Sequence, residues 1–366
     1  MSPGDAVVRL RLIRTDSIGP ITYRQLLARF GSADAALRAL PDLARRGGRA
    51  LAIPTTQAAE AELAALNAIG AQMIFICTPA YPSLLANLES APPVLSVRGD
   101  TGLLDRPAVA IVGARNASAA GVRFARQLAA DLAAEDMVIV SGLARGIDAA
   151  AHQGAMAGGT IAVVAGGVDV IYPPENAPLM VEIAEKGLIV AEQTPGTRPQ
   201  ARHFPRRNRI IAGLAAGTLV VEGAPKSGSL ITARVAAEAG REVMAVPGSP
   251  LDPRAQGCNL LIREGATLVQ SAADVIEALS AFSHGSGSQL GMRFKVADTD
   301  WVPEMALDAG DADRAEIARL LSPTPVAIDE IIRLSGLPSA VVVTVLLDME
   351  LMGQLVRHAG GRVAAQ

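Results

Sequence analysis

The pattern of apolar and polar positions divides the chain into three regions. Through residue 70, apolar residues recur at helical spacing and the runs stop at glycine, as in "ITYRQLLARFG" and "SADAALRALPDLARRGG". From Ala108, apolar runs of strand length alternate with helical patterns that end in glycine. Strands that are apolar throughout and separated by helices predict a parallel sheet buried on both faces. We therefore expect an α/β fold, a Rossmann-like, doubly wound and mostly parallel sheet preceded by a small helical domain.

The flanking segments carry their own signals. "PAYPSLLANLESAPPVLSVRGD" is punctuated by proline and predicts a connector with one short helix and one strand. The stretch "SHGSGSQLGMRFKVADTD" is rich in glycine and serine, which is typical of a linker. Three helical patterns at 314–321, 326–334 and 339–349, followed by two short β segments, predict a winged helix-turn-helix. The predicted domains are 1–104 (helical domain and connector), 105–282 (Rossmann-like domain), 283–312 (linker) and 313–366 (winged-helix module).

Composition narrows the class of protein. Half of the 366 residues are hydrophobic, but no apolar run reaches the 18 or so residues of a membrane helix, and the first residues lack a signal-peptide pattern. Two cysteines, Cys77 and Cys258, stand far apart and outside CxxC spacing, which argues against a disulfide framework or a zinc site. The expectation is a cytoplasmic protein with no membrane partner, no metal and no cofactor. The net charge of -3 means that any affinity for nucleic acid comes from a local patch.

One such patch lies in "ARHFPRRNRIIAGLAAGTLVVEG", residues 201–223. Between Gln193 and Val221 there is no carboxylate, and there are five arginines: Arg198, Arg202, Arg206, Arg207 and Arg209. A one-signed cluster favours an anionic partner, and the planar fork of arginine suits phosphate. The segment alone leaves a solvated helix entrance equally open.

The loops after the predicted strands bring more cations to the same place. Ligands of open parallel sheets bind beyond the carboxyl ends of the strands. The first such loop carries Gly113, Ala114 and Arg115, the second carries Arg145, and the fifth carries Lys226, Ser227 and Ser229. Glycine-rich turns let backbone N–H groups approach phosphate, and helices that start at Ser118, Asp148 and Ser229 aim their positive ends at the same rim. This convergence favours a site for a phosphate backbone.

Nucleotide cofactors fit these loops poorly. "VGARNAS" lacks GxGxxG, and "GAPKSGS" lacks the spacing of a Walker A loop, so neither NAD nor ATP is predicted. Separated cations along a rim suit a polynucleotide. Phe204, the one aromatic residue within the arginine cluster, favours single-stranded nucleic acid if it stacks on a base, although a core role is equally open.

Two other features favour structural interpretations. Asp148 and His152 are spaced i, i+4 and could form a proton-transfer pair, but a structural histidine is the preferred interpretation. The third helix of the winged-helix module, "SAVVVTVLLDMELM", carries carboxylates and neither lysine nor arginine. We expect it to pack on the rest of the chain or on another protein and not to read DNA.

Six motifs in register resemble the DNA-processing protein A family (DprA, also called Smf): "VAIVGARNAS", "SGLARGIDAAAH", "TIAVVAGGVDVIYPPEN", "HFPRRNRIIAGL", "VVEGAPKSGSLITARVAAEAGREVMAVPG" and "QGCNLLIREGA". The resemblance implies a non-enzymatic homodimer that binds single-stranded DNA and loads a RecA-type recombinase during natural transformation. It also implies that the N-terminal helical domain resembles a sterile alpha motif. It places the family's Gly-Ser/Ala-Arg motif on Gly113, Ala114 and Arg115, and its F-x-x-R-N-R element on Phe204, Arg207, Asn208 and Arg209. Arg202 stands near the place of a basic residue that often precedes that phenylalanine.

An enzymatic alternative stays open. "SGSLITARVAAE" resembles the glycine-rich loop of lysine-decarboxylase-like phosphoribohydrolases, with Thr232 and Glu238 as counterparts of its catalytic positions. The loop lacks the paired glycines and the spacing to Glu238 is longer, so we expect no catalytic residue.

Overall fold

The computed structural model describes residues 2–46, 51–285, 309–358 and 360–366. Most of the predicted glycine- and serine-rich linker, residues 286–308, lies outside the described residues. The chain forms two compact units. One unit joins the two ends of the sequence, Met1–Ala61 with Ala297–Gln366, and the other is the central stretch Glu62–Val296.

The helices and strands follow the predicted alternation. The first unit begins with α1 (Pro3–Ile13), α2 (Pro20–Phe30) and α3 (Ala33–Arg46), and α4 (Thr56–Ala68) leads into the central unit. The central unit contains β1 (Ala71–Phe75), α5 (Ser83–Ala86), β2 (Val94–Gly99), β3 (Ala108–Gly113), α6 (Ala119–Ala134), β4 (Val138–Ser141), α7 (Ile147–Ala155), β5 (Thr160–Val164), α8 (Ala177–Lys186), β6 (Leu188–Ala191), α9 (His203–Leu214), β7 (Gly217–Val221), α10 (Gly228–Glu238), β8 (Glu242–Ala245), α11 (Gln256–Arg263), β9 (Thr267–Leu268) and α12 (Ala272–Gly285). The C-terminal part contains α13 (Asp311–Leu320), β10 (Val326–Ala327), α14 (Ile328–Ser335), α15 (Ser339–Leu351), β11 (Leu355–His358) and β12 (Arg362–Ala365).

The central sheet is doubly wound. Within the described residues its strand order is β1-β2-β6-β5-β4-β3-β7-β8-β9. All neighbours from β6 to β9 pair in parallel, whereas β1 and β2 pair antiparallel with each other and β2 pairs antiparallel with β6. The winding reverses between β3 and β7, where the chain has crossed from one half of the sheet to the other. The predicted Rossmann-like, mostly parallel sheet is confirmed.

The sheet begins earlier than the predicted domain boundary. Residues 71–99, assigned from the sequence to a connector in domain 1–104, supply β1 and β2 of the central sheet. The prolines that suggested a connector lie in the loop between these strands, which also carries the short α5. Because β1 and β2 are antiparallel and lack a crossover helix between them, they escape the strand–helix alternation on which the prediction depended.

Buried apolar clusters hold the parallel strands whose carboxyl ends lead into the loops. One buried cluster joins β3 and β7 with α6, α7 and α12, and includes Ile111, Leu128, Ile147 and Leu219. A second joins β5 and β6 with α8. Each fully buried aliphatic side chain stabilises the fold by roughly 1.5–3 kcal/mol, so the carboxyl ends of these strands are held rigidly.

The C-terminal part of the first unit is a winged helix, as predicted. Helices α13, α14 and α15 pack around a core that includes Ile317, Ile331, Val345 and Val363. Strands β10, β12 and β11 form a small antiparallel sheet in that order. Gly360 and Gly361, both with positive φ, form the turn of the wing.

Helix α15 packs against the N-terminal helices through carboxylates. Asp348 on α15 accepts hydrogen bonds from Nη1 of Arg29 on α2 at 2.5 Å and from Nη2 of Arg314 on α13 at 3.1 Å. The side chains of Arg29 and Asp348 are only 7% and 4% exposed. The prediction that this helix packs on the rest of the chain is therefore confirmed.

A second carboxylate extends this contact. Glu350 accepts a hydrogen bond from Thr22 Oγ1 at 3.1 Å and from Nε of Arg357 at 2.8 Å. Arg357 also donates through Nη2 to Gln25 Oε1 at 3.0 Å. Thr22, Gln25 and Arg29 follow each other at helical spacing on α2, so one face of that helix meets the acidic end of α15.

Among the described residues, no helix combines the length and the apolar character needed to cross a bilayer.

Candidate nucleic-acid interface

A cleft opens at the carboxyl ends of β3, β4 and β5. Its volume is about 210 Å³, and α9 closes one side. Three cationic side chains line it, Arg115 from the loop after β3, Arg145 from the loop after β4 and Arg207 from α9. Phe204 and Tyr172 supply aromatic surface. Of the residues predicted from the sequence, the cleft brings together Arg115, Arg145, Phe204 and Arg207.

Arg207 is the buried cation of this cleft. Its residue surface is 6% exposed, and its Nε atom has no hydrogen-bond partner. A Cβ atom on Gly142 would lie 1.3 Å from Nη1 of Arg207, so only glycine at that position leaves room for the guanidinium. Burial lowers the pKa of Arg207, an effect that the charge of Asp148 opposes. An arginine nevertheless stays protonated in proteins, so the cleft holds a fixed positive charge that is poorly solvated.

Asp148 shapes the loop that carries Arg145. Its Oδ2 accepts hydrogen bonds from the backbone N–H groups of Gly142 and Ala144, at 3.2 and 3.3 Å. Burial raises the pKa of Asp148, while the neighbouring charge of Arg207 acts in the opposite direction. Asp148 therefore holds the backbone of the loop after β4, and the positive charge of Arg207 favours the ionised form of Asp148.

His152 is a structural residue. Its Nε2 accepts from the backbone N–H of Leu143 at 3.3 Å, and its Nδ1 lies 2.7 Å from Oγ1 of Thr160. Because the Thr160 hydroxyl donates to the carbonyl of Ile139 at 2.9 Å, Nδ1 carries the proton and the ring is neutral. Burial lowers the pKa of His152 to about 3. Asp148 and His152 thus each hold backbone of the β4 loop, which supports the structural interpretation over a proton-transfer pair.

The aromatic surface of the cleft is composite. The guanidinium carbon of Arg115 lies 5.3 Å from the centroid of the Phe204 ring, within cation–π range. The Tyr172 ring meets Phe204 at a centroid distance of 5.9 Å and an angle of 56°. Sequence reasoning missed Tyr172, although it follows the third parallel strand at the same edge as the predicted arginines.

Arg145 lies at the rim with one carboxylate nearby. Its Nη1 is 3.6 Å from Oε1 of Glu175, and both side chains are exposed. Exposed pairs of this kind contribute little. The adjacent Asn176 donates through Nδ2 to the carbonyls of Leu143 and Ala144, at 2.9 and 3.2 Å, and so ties the loop after β5 to the loop after β4.

Gly113 and Ala114 have packing roles. A Cβ atom on Gly113 would lie 1.9 Å from the carbonyl oxygen of Val221, so the end of β3 can approach β7 only as glycine. The carbonyl of Ala114 accepts from the backbone N–H of Ile147 at 3.2 Å, which joins the loop after β3 to the start of α7. Contact of these two residues with DNA stays a prediction.

Asn208 and Arg209 point away from the cleft lining. Arg209 donates to the carbonyl of Ser90 and to the carboxylate of Glu192, and its side chain is largely buried. Asn208 donates through Nδ2 to the carbonyl of Gly228 at 3.3 Å. Both tie α9 to neighbouring segments, so the geometry gives them a positioning role, and their contact with DNA stays a prediction.

The remaining candidates do not line the cleft. Arg202 and Arg206 are exposed at the start of α9, and Lys226 is exposed in the loop after β7 with a φ of 69°. The hydroxyls of Ser227 and Ser229 lie 2.8 Å apart at the start of α10. These residues face solvent or each other, and their contact with DNA also stays a prediction.

A carboxylate of the same chain lies at the N-terminus of α6, the helix that follows β3. Ser118 caps α6 as predicted, because its Oγ accepts from the N–H of Gly121 at 2.9 Å. Glu222, which follows β7, accepts from the backbone N–H of Ser118 at 2.8 Å and also from its hydroxyl. A carboxylate therefore lies where Rossmann proteins bind a pyrophosphate, at the point where the winding reverses. The prediction that α6 offers its positive end to a ligand is wrong, because Glu222 already neutralises that end.

Three protein-family models match the chain. The model described as "DNA recombination-mediator protein A" matches residues 72–280, which is more than half of the sequence. The chain belongs to this family. Models described as "DprA-like N-terminal HHH domain" and "DprA winged helix domain" match residues 3–65 and 302–361.

Several known proteins are similar over more than half of this chain. The DNA processing protein DprA of Bacillus subtilis is 46% identical over 220 residues, which covers 59% of this chain and 74% of that protein. Protein Smf of Synechocystis is 37% identical and covers 78% of this chain and 77% of its own length. The solved structure of DNA processing protein A from Streptococcus pneumoniae matches with a TM-score of 0.58 at 42% identity, over 61% of this chain and 78% of that one.

A second solved structure, that of DNA processing protein A from Helicobacter pylori, is similar over more than half of this chain. It was described for the unique single-stranded DNA binding mode of that protein. It matches with a TM-score of 0.53 at 31% identity, over 57% of this chain and 96% of that one. The likeness covers most of that relative.

Proposed function

We propose that this protein binds single-stranded DNA in the cleft formed by Arg115, Arg145, Phe204 and Arg207. The observation that carries the proposal is Arg207, a buried guanidinium whose Nε has no partner, at the bottom of a cleft with two further cations. The neighbouring charge of Asp148 opposes only part of the effect of burial, so an outside anion would stabilise this guanidinium further. A phosphodiester can do so through two parallel hydrogen bonds.

The aromatic side of the cleft favours single strands over duplex. Phe204 and Tyr172 stand beside the cations, so a nucleotide can place its phosphate on the arginines and its base on a ring. Bases in a duplex are already stacked and paired and cannot do this. The relative from Helicobacter pylori, described as binding single-stranded DNA, supports the same choice.

The family assignment suggests the wider role. We propose that the bound strand is handed to a RecA-type recombinase, in line with the family's description as a recombination mediator. A homodimer working in the cytoplasm during DNA uptake fits that role.

We propose that the role is not catalytic. The two residues suggested by the phosphoribohydrolase alternative lie on α10, with Thr232 buried and Glu238 exposed at the helix end. Six positions on a helix separate residues by about 9 Å along its axis. The Thr232 hydroxyl donates to the carbonyl of Gly228 at 3.3 Å. Neither residue lines the cleft, so this alternative lacks a joint site.

The test is binding of fluorescent oligothymidylate over a range of salt. Arg115→Ala should weaken binding about tenfold and reduce the salt slope by about 0.7, because one phosphate contact is lost. Arg123→Ala, an exposed arginine on α6 away from the cleft, is the matched control and should bind like the wild type. Equal affinity of the Arg115 and Arg123 variants would refute the assignment of the cleft, and release of free base from nucleoside monophosphates would revive the enzymatic alternative.

A further inference from the structure

Of the three tyrosines in the sequence, Tyr172 is the exposed one. Tyr23 and Tyr81 are buried, whereas Tyr172 is 44% exposed at the mouth of the cleft. Its neighbour Ile171 is 47% exposed but does not line the cleft. A large apolar surface left open beside cations is typical of a binding site.

The cleft has two chemically different walls. Arg115, Arg145 and Arg207 form the cationic wall, and Tyr172 with Phe204 forms the aromatic wall, continued by Pro173 and Pro174. Phe204 is already engaged, since Arg115 lies over its ring and Tyr172 touches it at an angle. The larger open aromatic surface therefore belongs to Tyr172 and not to Phe204.

The loop that presents Tyr172 is braced on both sides. Before it, Asp169 accepts from the backbone N–H of Gly196 at 2.9 and 3.0 Å. After it, Asn176 donates to the carbonyls of Leu143 and Ala144. A ring held by a braced loop loses little conformational entropy when a ligand stacks on it.

We propose that Tyr172 is a nucleobase-stacking residue, and that it receives a base of the strand whose phosphate lies on Arg115 and Arg207. This inference rests on the proposed function and adds a residue to it. The contact needs the π face and not the hydroxyl. Recognition is therefore tolerant of sequence, since every base offers a face.

The experiment compares two ligands on four proteins. Wild type, Tyr172→Ala, Tyr172→Phe and Ile171→Ala are titrated with oligothymidylate and with an abasic deoxyribose-phosphate oligomer of equal length. Tyr172→Ala should lose about 5- to 100-fold in affinity for oligothymidylate and almost nothing for the abasic oligomer. Tyr172→Phe and Ile171→Ala should bind both ligands like the wild type. Thermal unfolding confirms that each variant is folded.

The outcomes separate the two proposals. If the wild type binds neither oligomer, the proposed function fails. If the wild type binds oligothymidylate and Tyr172→Ala binds it equally well, only the role of Tyr172 is overturned. An equal loss for both oligomers, or a loss in Tyr172→Phe as large as in Tyr172→Ala, would also overturn stacking, because neither depends on a base meeting the ring.

A spectroscopic readout tests the contact directly. In a chain with its one tryptophan, Trp301, replaced by Phe, a Tyr172→Trp substitution places the only indole at the cleft mouth. Oligothymidylate should quench its fluorescence and the abasic oligomer should not. Equal quenching by both would contradict stacking.

Discussion

The two units of this protein use arginine in opposite ways. In the unit formed by the chain ends, Arg29, Arg314 and Arg357 each meet Asp348 or Glu350 at hydrogen-bond distance. In the central cleft, Arg207 is buried with an unpartnered Nε, and the Arg145–Glu175 pair is long and exposed. In the first arrangement each guanidinium donates to a carboxylate of the chain, although Nε of Arg314 also lacks a partner. In the second, Asp148 acts on Arg207 only as a neighbouring charge, so the guanidinium can still accept an outside anion.

This difference shows why counting arginines is a poor guide to function. Residues 201–223 contain an arginine of each kind, Arg207 and Arg209, only two positions apart. Arg207 faces the cleft, whereas Arg209 pairs with the carboxylate of Glu192 and also donates to the carbonyl of Ser90. What distinguishes the two arginines is a direct hydrogen bond to a carboxylate, which Arg209 makes with Glu192, whereas Asp148 acts on Arg207 only as a neighbouring charge.

The largest effect is expected from removing a carboxylate in the paired unit. Asp348→Ala leaves Arg29 and Arg314 without their shared partner in a largely buried place. Breaking a buried pair in this way costs about 3–5 kcal/mol. Denaturant unfolding of the full chain, followed by hydrogen exchange in α2 and α15, should show the loss in this unit, with oligothymidylate affinity unchanged.

A matched control exists on the same arginine. Asp311 also pairs with Arg314, at 3.3 Å, but is fully exposed. Asp311→Ala should leave unfolding within about 0.5 kcal/mol of the wild type. Equal destabilisation by the two substitutions would mean that the burial of Asp348 does not matter.

An intermediate effect is expected from Arg207→Met, which keeps the length of the side chain and removes its charge. Oligothymidylate affinity should fall at least tenfold, because the lost hydrogen bonds to an anion are worth about 1.5–3 kcal/mol. The pKa of Asp148, already raised by burial, should rise further without the neighbouring positive charge. A carboxyl group whose pKa is higher in the folded state favours folding below its unfolded pKa and loses that contribution as pH rises through the folded value.

The variant should therefore lose more stability than the wild type between pH 4 and pH 8, as measured by denaturant unfolding at several pH values. Adding Asp148→Asn should restore stability at neutral pH without restoring affinity for DNA. If affinity returned with stability, Arg207 would only support the fold and would not be a DNA contact.

The sequence predicted the parallel strands and much of the cleft. The apolar runs of β3 to β7 and the helices between them follow directly from burial on both faces. Arg115, Arg145 and Arg207 could be predicted because the carboxyl ends of parallel strands share one edge. The helical pattern of α9 could have shown that Arg207 and Arg209 lie on different faces, since two positions rotate around a helix by about 200°.

Other features could not be predicted from short stretches of the sequence. Glu222 reaches Ser118 across 104 positions, and Arg29 reaches Asp348 across 319. Neither contact leaves a local pattern, because each depends on how distant elements pack. The predicted strand of the connector is β2, but the membership of β1 and β2 in the central sheet was missed, since antiparallel neighbours lack the crossover helix that signals a parallel strand.

The smallest effect tests whether the rim can be made more cationic. Glu175 lies 3.6 Å from Arg145, and both side chains are exposed, so their mutual attraction is weak and screened by salt. Glu175→Gln removes a negative charge from the path of a phosphate and should tighten oligothymidylate binding about two- to threefold at low salt. Glu182→Gln, which breaks an exposed pair with Lys186 on α8 outside the cleft, is the matched control and should change nothing. Weaker binding after Glu175→Gln would mean that Glu175 positions Arg145, and the rim would then resemble the paired unit more than the open cleft.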